Sequence, residues 1–100
     1  MRSRIGIERD RIAAFCRQNH IRHLALYGSV LREDFRPESD VDVLVEFSPE
    51  QRVGFFRMAA LERELSQLIG RRVDLRTPRE ISRYFRDQVI HQAETQYAEG

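Results

Sequence analysis

Two stretches of this chain could do chemistry together: Gly28-Ser29 and, eleven residues past the serine, Asp40-Val41-Asp42. On a strand, side chains alternate between faces, so Asp40 and Asp42 point the same way while Val41, Val43 and Val45 fill the other side. Two carboxylates a few ångströms apart repel one another, and a strand needs neither. Hard cations, which take oxygen ligands, relieve that repulsion. A pair of them at roughly 3.5–4 Å clamps the attacking and leaving oxygens of phosphoryl or nucleotidyl transfer. For a bare Asp-x-Asp the favoured reading is a strand entered through a polar turn, with Asp40 capping and Asp42 solvated. The upstream Gly-Ser weighs against that reading. Glycine lets backbone approach a ligand closely. A helical turn begun at Ser29 offers unpaired N–H groups and a positive dipole end to a phosphate, and the serine adds a hydroxyl.

The elements that must position these residues follow from periodicity. Ile12, Phe15 and Cys16, with Ile5 or Glu8 upstream, predict a helix over about residues 7–18, ended by Asn19-His20 with asparagine taking the left-handed position. His23 to Tyr27 reads as a short buried strand stopped by Gly28. Ser29 caps a helical turn through Arg32, and Asp34-Phe35-Arg36-Pro37 breaks it. The aspartate strand runs from about Val41 to Phe47. Ser48-Pro49-Glu50-Gln51 has the form of a capping box, but Gly54 weakens the turn that follows, so the long helix settles after it. Phe55, Met58, Leu61, Leu65 and Leu68 are its buried stripe, and Gly70 ends it. A third strand spans 71–76, and Thr77-Pro78-Arg79-Glu80 is a second capping box, opening a C-terminal helical region whose apolar face is Ile81, Phe85, Val89, Ala93 and Tyr97.

Short strands alternating with helices imply a small α/β (α+β) domain, a mixed three-stranded sheet flanked by helices. The long helix is a crossover, so strands two and three are parallel and the connection right-handed. As neighbours they bring Asp74 alongside Asp40 and Asp42 as a third carboxylate. The short link between strands one and two favours an antiparallel or sharply angled pairing.

One hundred residues suit a single domain over 1–100. Hydrophobic content of 41% against 33% charge places the chain among soluble globular proteins. All seventeen basic residues are arginine, which fits codon bias. With sixteen acids the net charge is +1, so no field recruits nucleic acid or membrane, and direct nucleic-acid binding is not expected. Cys16 suits a buried small hydrophobe. The charged start leads to no apolar h-region and no run reaches transmembrane length, so a cytoplasmic protein is expected. His20, His23 and His91 lack metal-ligand spacing. Arg32 suits a phosphate or a strand carboxylate equally. Arg76, two residues past Asp74, shares its face and is within reach of a nucleotide, but reads as a surface arginine; Tyr84-Phe85 and Tyr97 read as helix-face core rather than a base-stacking platform.

Gly-Ser, about ten residues, Asp-hydrophobic-Asp and a later strand carboxylate together resemble the nucleotidyltransferase superfamily typified by DNA polymerase β. Over nearly its whole length the chain resembles the minimal nucleotidyltransferases (MNT) that accompany HEPN ribonuclease toxins. The resembling segments are Tyr27-Gly28-Ser29 with Arg32, Ser39 to Phe47, and Leu68 to Leu75.

The resemblance implies that Asp40 and Asp42 hold two magnesium ions bridging the phosphates of ATP. It implies that Gly28 and Ser29 hold the β- and γ-phosphates, and that Asp74 binds the catalytic metal and helps deprotonate the acceptor hydroxyl. The implied acceptor is a tyrosine of the cognate HEPN toxin, adenylylated to silence its RNase activity, with homo- or hetero-oligomers open. Glu33 departs from the glycine that often follows the arginine in this family, putting a negative charge near the phosphate turn. A binding module that neutralises its partner by occupying a surface is the alternative, and transfer to a small molecule or RNA a third. Intact carboxylates and Gly-Ser favour the enzyme.

Overall fold

The computed structural model describes residues 8–31, 36 and 39–99. Ile5, Arg32, Glu33, Asp34, Phe35 and Pro37, each given a place in the sequence reading, lie outside the described residues. In chain order the elements are α1 (Arg9–Gln18), β1 (Ile21–Tyr27), a 3-10 turn (Gly28–Leu31), β2 (Val41–Phe47), α2 (Phe55–Ile69), β3 (Val73–Arg76), a 3-10 turn (Pro78–Glu80), α3 (Arg86–Gln92) and β4 (Glu94–Ala98).

The strands form a mixed sheet in the order β3-β2-β1-β4. β1 pairs antiparallel with β2, as the short link between them requires, and β2 pairs parallel with β3 through the α2 crossover. The valines of β2 and Leu24 and Leu26 of β1 face α1 and α2, where they meet Ile12, Phe15, Cys16, Leu61 and Leu65 in one buried cluster. Alternation then sends Ala25 and Leu44 to the second face, where both are also buried. Asp42 and Asp74 lie on this second face. Gly70 ends α2 in the left-handed conformation at φ 79°, its N–H donating to the Ser66 carbonyl at 2.8 Å.

β3 is an edge strand, and α2 covers it. Ser66 Oγ accepts from the Val73 N–H at 3.0 Å and Glu62 Oε2 from the Leu75 N–H at 2.8 Å. Those outward amides would otherwise invite another strand.

Five expectations need correction. The sheet has four strands among the described residues, because Glu94–Ala98 pairs antiparallel with β1 instead of extending the last helix. The stripe Ile81, Phe85, Val89, Ala93, Tyr97 suits a helix at spacing four, but β1's outer edge needs a partner and Thr95 and Tyr97 are good strand formers. α3 therefore ends at Gln92, and Tyr97 packs against the core from a strand. Ser48 to Gln51 is a turn closed by the Gln51 N–H on the Ser48 carbonyl at 2.9 Å, not a helix start, since α2 begins only after Gly54. Phe55 is exposed, in the first turn of α2 ahead of Met58, the first of the stripe to reach the core. At the end of α1, His20 takes the positive φ of 58°, while Asn19 is buried and its amide donates to the Phe15 carbonyl at 2.8 Å. Tyr84 and Phe85 are exposed rather than core: both precede α3, and Phe85 borders an open groove beside Tyr27 and Asp42 instead of packing into the core.

Candidate active site

Register brings the site together. Tyr27 on β1 pairs with Asp42 on β2, and Asp42 pairs with Asp74 on β3, so the three side chains stand in a row across the sheet. One step along, Ala25, Leu44 and Arg76 form the next row on the same face. The parallel crossover predicted Asp74 beside Asp42. Tyr27 was missed as a site residue, although its place directly before the glycine is the signal that could have found it.

The turn after β1 is built for closeness. Gly28 takes φ +75°, a left-handed conformation that disfavours a side chain. A β-carbon there would run into the Asp42 carboxylate, whose Cγ lies 3.3 Å from the position it would take. Val30 and Leu31 anchor the turn in the core and leave Gly28 and Ser29 half-buried above the site. The Ser29 backbone N–H donates to the Asp42 carboxylate. That amide, expected to be unpaired, is thus already spent on the aspartate, which fixes turn and carboxylate to each other.

Charge accumulates around Asp42. Burial raises its carboxyl above the usual aspartate range, and the negative charges of Asp74 and Asp40 push it further, against the opposing pull of Arg76 and the Ser29 N–H. Asp74 and Asp40 have cations of their own. Arg76 Nε lies 3.3 Å from Asp74 Oδ2, and Arg72 Nε lies 4.0 Å from the exposed Asp40. Among the described residues, Asp42 has no ion-pair partner. The Tyr27 phenol is pushed up to about 12, by burial first and then by Asp42 and Asp74, so it stays a neutral hydrogen-bond donor at physiological pH.

The donor set is hard carboxylate oxygen in a field of excess negative charge, the chemistry that magnesium takes. Among the described residues, no three acidic, histidine or cysteine side chains converge closely enough to form a metal cage. The aspartates share a field rather than a preformed coordination sphere. That fits an ion that keeps several waters and borrows ligands from a phosphate substrate.

Above Tyr27, Gly28 and Asp42 lies a groove of about 490 Å³, closed on its far side by Phe85, Gln88, Val89 and Gln92. Spacings of three and four put these residues on one face of the α3 segment. That spacing was visible in the sequence, but nothing there said that the face overlooks the aspartates. Arg86 fixes α3 by donating from Nε to the Pro78 carbonyl at 2.8 Å and from Nη2 to the Ile81 carbonyl at 3.1 Å. The second capping box holds the start of that segment, with Glu80 Oε1 accepting from the Thr77 N–H at 3.0 Å.

The fold and the row of carboxylates beside a glycine turn define a nucleotidyl-transfer domain. The chain matches the nucleotidyltransferase domain family over residues 9–96 and belongs to it. Among its relatives is the protein adenylyltransferase MntA of Thermococcus cleftensis, 38% identical over 55 residues, a stretch that is 55% of this chain and 54% of that one. The chain thus spans about half the length of that relative. A solved structure described as a candidate minimal nucleotidyltransferase is 30% identical, covers 85% of each chain and superimposes with a TM-score of 0.69. A Shewanella oneidensis MNT antitoxin in complex with a tri-AMPylated HEPN toxin shares the fold at 22% identity and a TM-score of 0.65, over 90% of this chain and 69% of that one. No described helix is long and apolar enough to cross a membrane.

Proposed function

We propose that this chain transfers AMP from ATP to a tyrosine hydroxyl of a cognate HEPN-type toxin and serves as its cytoplasmic antitoxin. The observation that carries the reading is Asp42, abreast of Asp74 and tied to the turn at Gly28, with its carboxyl raised by burial and then by its acidic neighbours. The adenylyltransferase relative and the AMPylated toxin of the Shewanella neighbour support the reaction class and the partner.

Each residue then has a role. Gly28, bare of a side chain, lets the Asp42 carboxylate lie against the turn that holds the triphosphate, and the Ser29 hydroxyl donates to the β- or γ-phosphate oxygens. Asp40, Asp42 and Asp74 would hold magnesium, which when bound supplies charge neutralisation at the phosphates. Asp74, fixed by Arg76, takes the proton of the acceptor hydroxyl. The acceptor oxygen attacks the α-phosphorus, the bond to pyrophosphate breaks, and pyrophosphate leaves. Positioning and charge carry the acceleration.

The test is incubation with labelled ATP, magnesium and the cognate HEPN protein. Label should appear on the partner, vanish in excess EDTA, and vanish with Asp42→Asn. Labelling that survives both would overturn the reading. The arginine pairs on Asp74 and Asp40 favour, as a second reading, an antitoxin that acts by binding alone. Asp42→Asn separates the two: toxin neutralisation in cells is lost under transfer and kept under binding alone.

A further inference from the structure

The groove opposite the phosphate turn has more than phosphate chemistry in its walls. Phe85 is 60% exposed, and it lines the same groove as Gly28 and Asp42. A single exposed aromatic is ordinary on a protein surface. Here the exposed ring is accompanied by two carboxamides, Gln88 and Gln92, and by Val89, on one helical face. A volume of about 490 Å³ is in the range of small-molecule pockets and suits a nucleoside.

From this juxtaposition we propose that the α3 face is the nucleobase subsite: Phe85 stacks on the base, and the Gln88 and Gln92 carboxamides read the edge of adenine. The proposal rests on the nucleotidyl-transfer reading and deepens it by assigning the base.

The chemistry favours adenine over guanine. Adenine presents an amino donor beside a ring-nitrogen acceptor, and a carboxamide offers the matching acceptor and donor. Guanine presents two acceptors, O6 and N7, on its major-groove edge and calls for a guanidinium or ammonium there. Among the described residues no arginine lines this groove, since Arg86 turns away to bind the carbonyls of Pro78 and Ile81. The same Arg86 bonds hold the face in place before any ligand arrives. Tyr27, fixed on β1 beside Asp42, lines the same groove.

The experiment is calorimetric titration of the full chain, in magnesium, with ATP, GTP and inorganic tripolyphosphate. The wild-type protein should bind ATP more tightly than GTP. Phe85→Ala should weaken ATP roughly tenfold, the loss expected for one stacked base. It should leave tripolyphosphate binding unchanged, a readout that a merely structural role for Phe85 would not spare. Gln88→Ala with Gln92→Ala should bring the preference for ATP over GTP, expected at roughly tenfold, towards parity. The base subsite is overturned if Phe85→Ala weakens ATP and tripolyphosphate equally or weakens neither. It is also overturned if the glutamine variant keeps the full preference. A wild-type chain that binds neither ATP nor tripolyphosphate would overturn the nucleotidyl-transfer reading itself, an outcome distinct from losing the base subsite alone.

Discussion

The carboxylate of Asp42 occupies the space that a β-carbon on Gly28 would need. The relationship is local in space and remote in sequence, and it couples the turn after β1 to β2. Gly28→Ala should therefore cost stability twice, through a left-handed backbone worth about 1–2 kcal/mol and through the collision with the aspartate. Asp42→Ala removes the colliding atoms while keeping a β-carbon at ordinary contact distance, 3.5 Å. Denaturant melts of the two single variants and the double variant should show non-additivity of about 0.5–3 kcal/mol, the double being more stable than the sum predicts. Additive losses would show that the turn and Asp42 are independent.

Asp42→Asn tests whether function is kept against stability. Asp42 is only half-buried, so solvent screening leaves its repulsion with Asp74 and Asp40 at about 1 kcal/mol. Asparagine keeps an oxygen to accept from the Ser29 N–H and loses the charge. In EDTA at pH 7 the variant should melt about 4–8 °C above wild type. The sign against pH follows from the raised carboxyl. The native state holds the proton more tightly than the unfolded chain, so wild-type stability falls as pH rises from the ordinary aspartate range through the elevated value. Below that range both states are protonated and the gap between variant and wild type should close. A melting point that drops at pH 7 would show a structural carboxylate instead.

Much of this site was legible before the fold. The spacing from Ser29 to Asp42, the alternation along β2 and the crossover through α2 all forced Asp42 and Asp74 onto neighbouring positions of one face. What stayed hidden depended on partners remote in sequence. Helical spacing from Ile81 to Tyr97 could not reveal that β1 lacked a partner on its outer edge, so β4 was read as helix. Phe85 looked like core for the same reason, because the helix it was assigned to had no reason to end at Gln92. The Ser48 capping box failed because a Ser-Pro turn and a helix start share their first residues, and only the packing stripe from Met58 onwards separates them.

Cys16 should be chemically silent in the native protein. Burial pushes its thiol up to about 12, with Arg17 opposing only weakly. Thiolate is the reactive form, so a disulfide reagent such as DTNB at pH 8 should react only at the rate of global unfolding and at once in denaturant. The same shift makes stability fall as pH rises from the ordinary thiol value near 9.0 through about 12, a slope that Cys16→Ala should lose. Rapid stoichiometric labelling without denaturant would place the thiol at the surface.

Arg76 should matter to the acid limb of activity far more than to the fold. Its guanidinium, 3.3 Å from Asp74, is nearly half-exposed, and exposed ion pairs contribute about 0–1 kcal/mol. Arg76→Gln should therefore leave the melting point within a few degrees of wild type. The positive charge also opposes the rise of the Asp42 carboxyl. Without it Asp42 holds its proton to higher pH, and the ionised form that the proposed magnesium site requires appears later in a pH titration. The acid limb of the transfer rate, and of magnesium affinity measured by calorimetry, should shift to higher pH, with the rate recovering towards wild type on the alkaline side. Arg76→Lys should restore the limb. If Arg76→Gln lowers the rate equally at every pH, the guanidinium acts on the substrate rather than through Asp42 and Asp74.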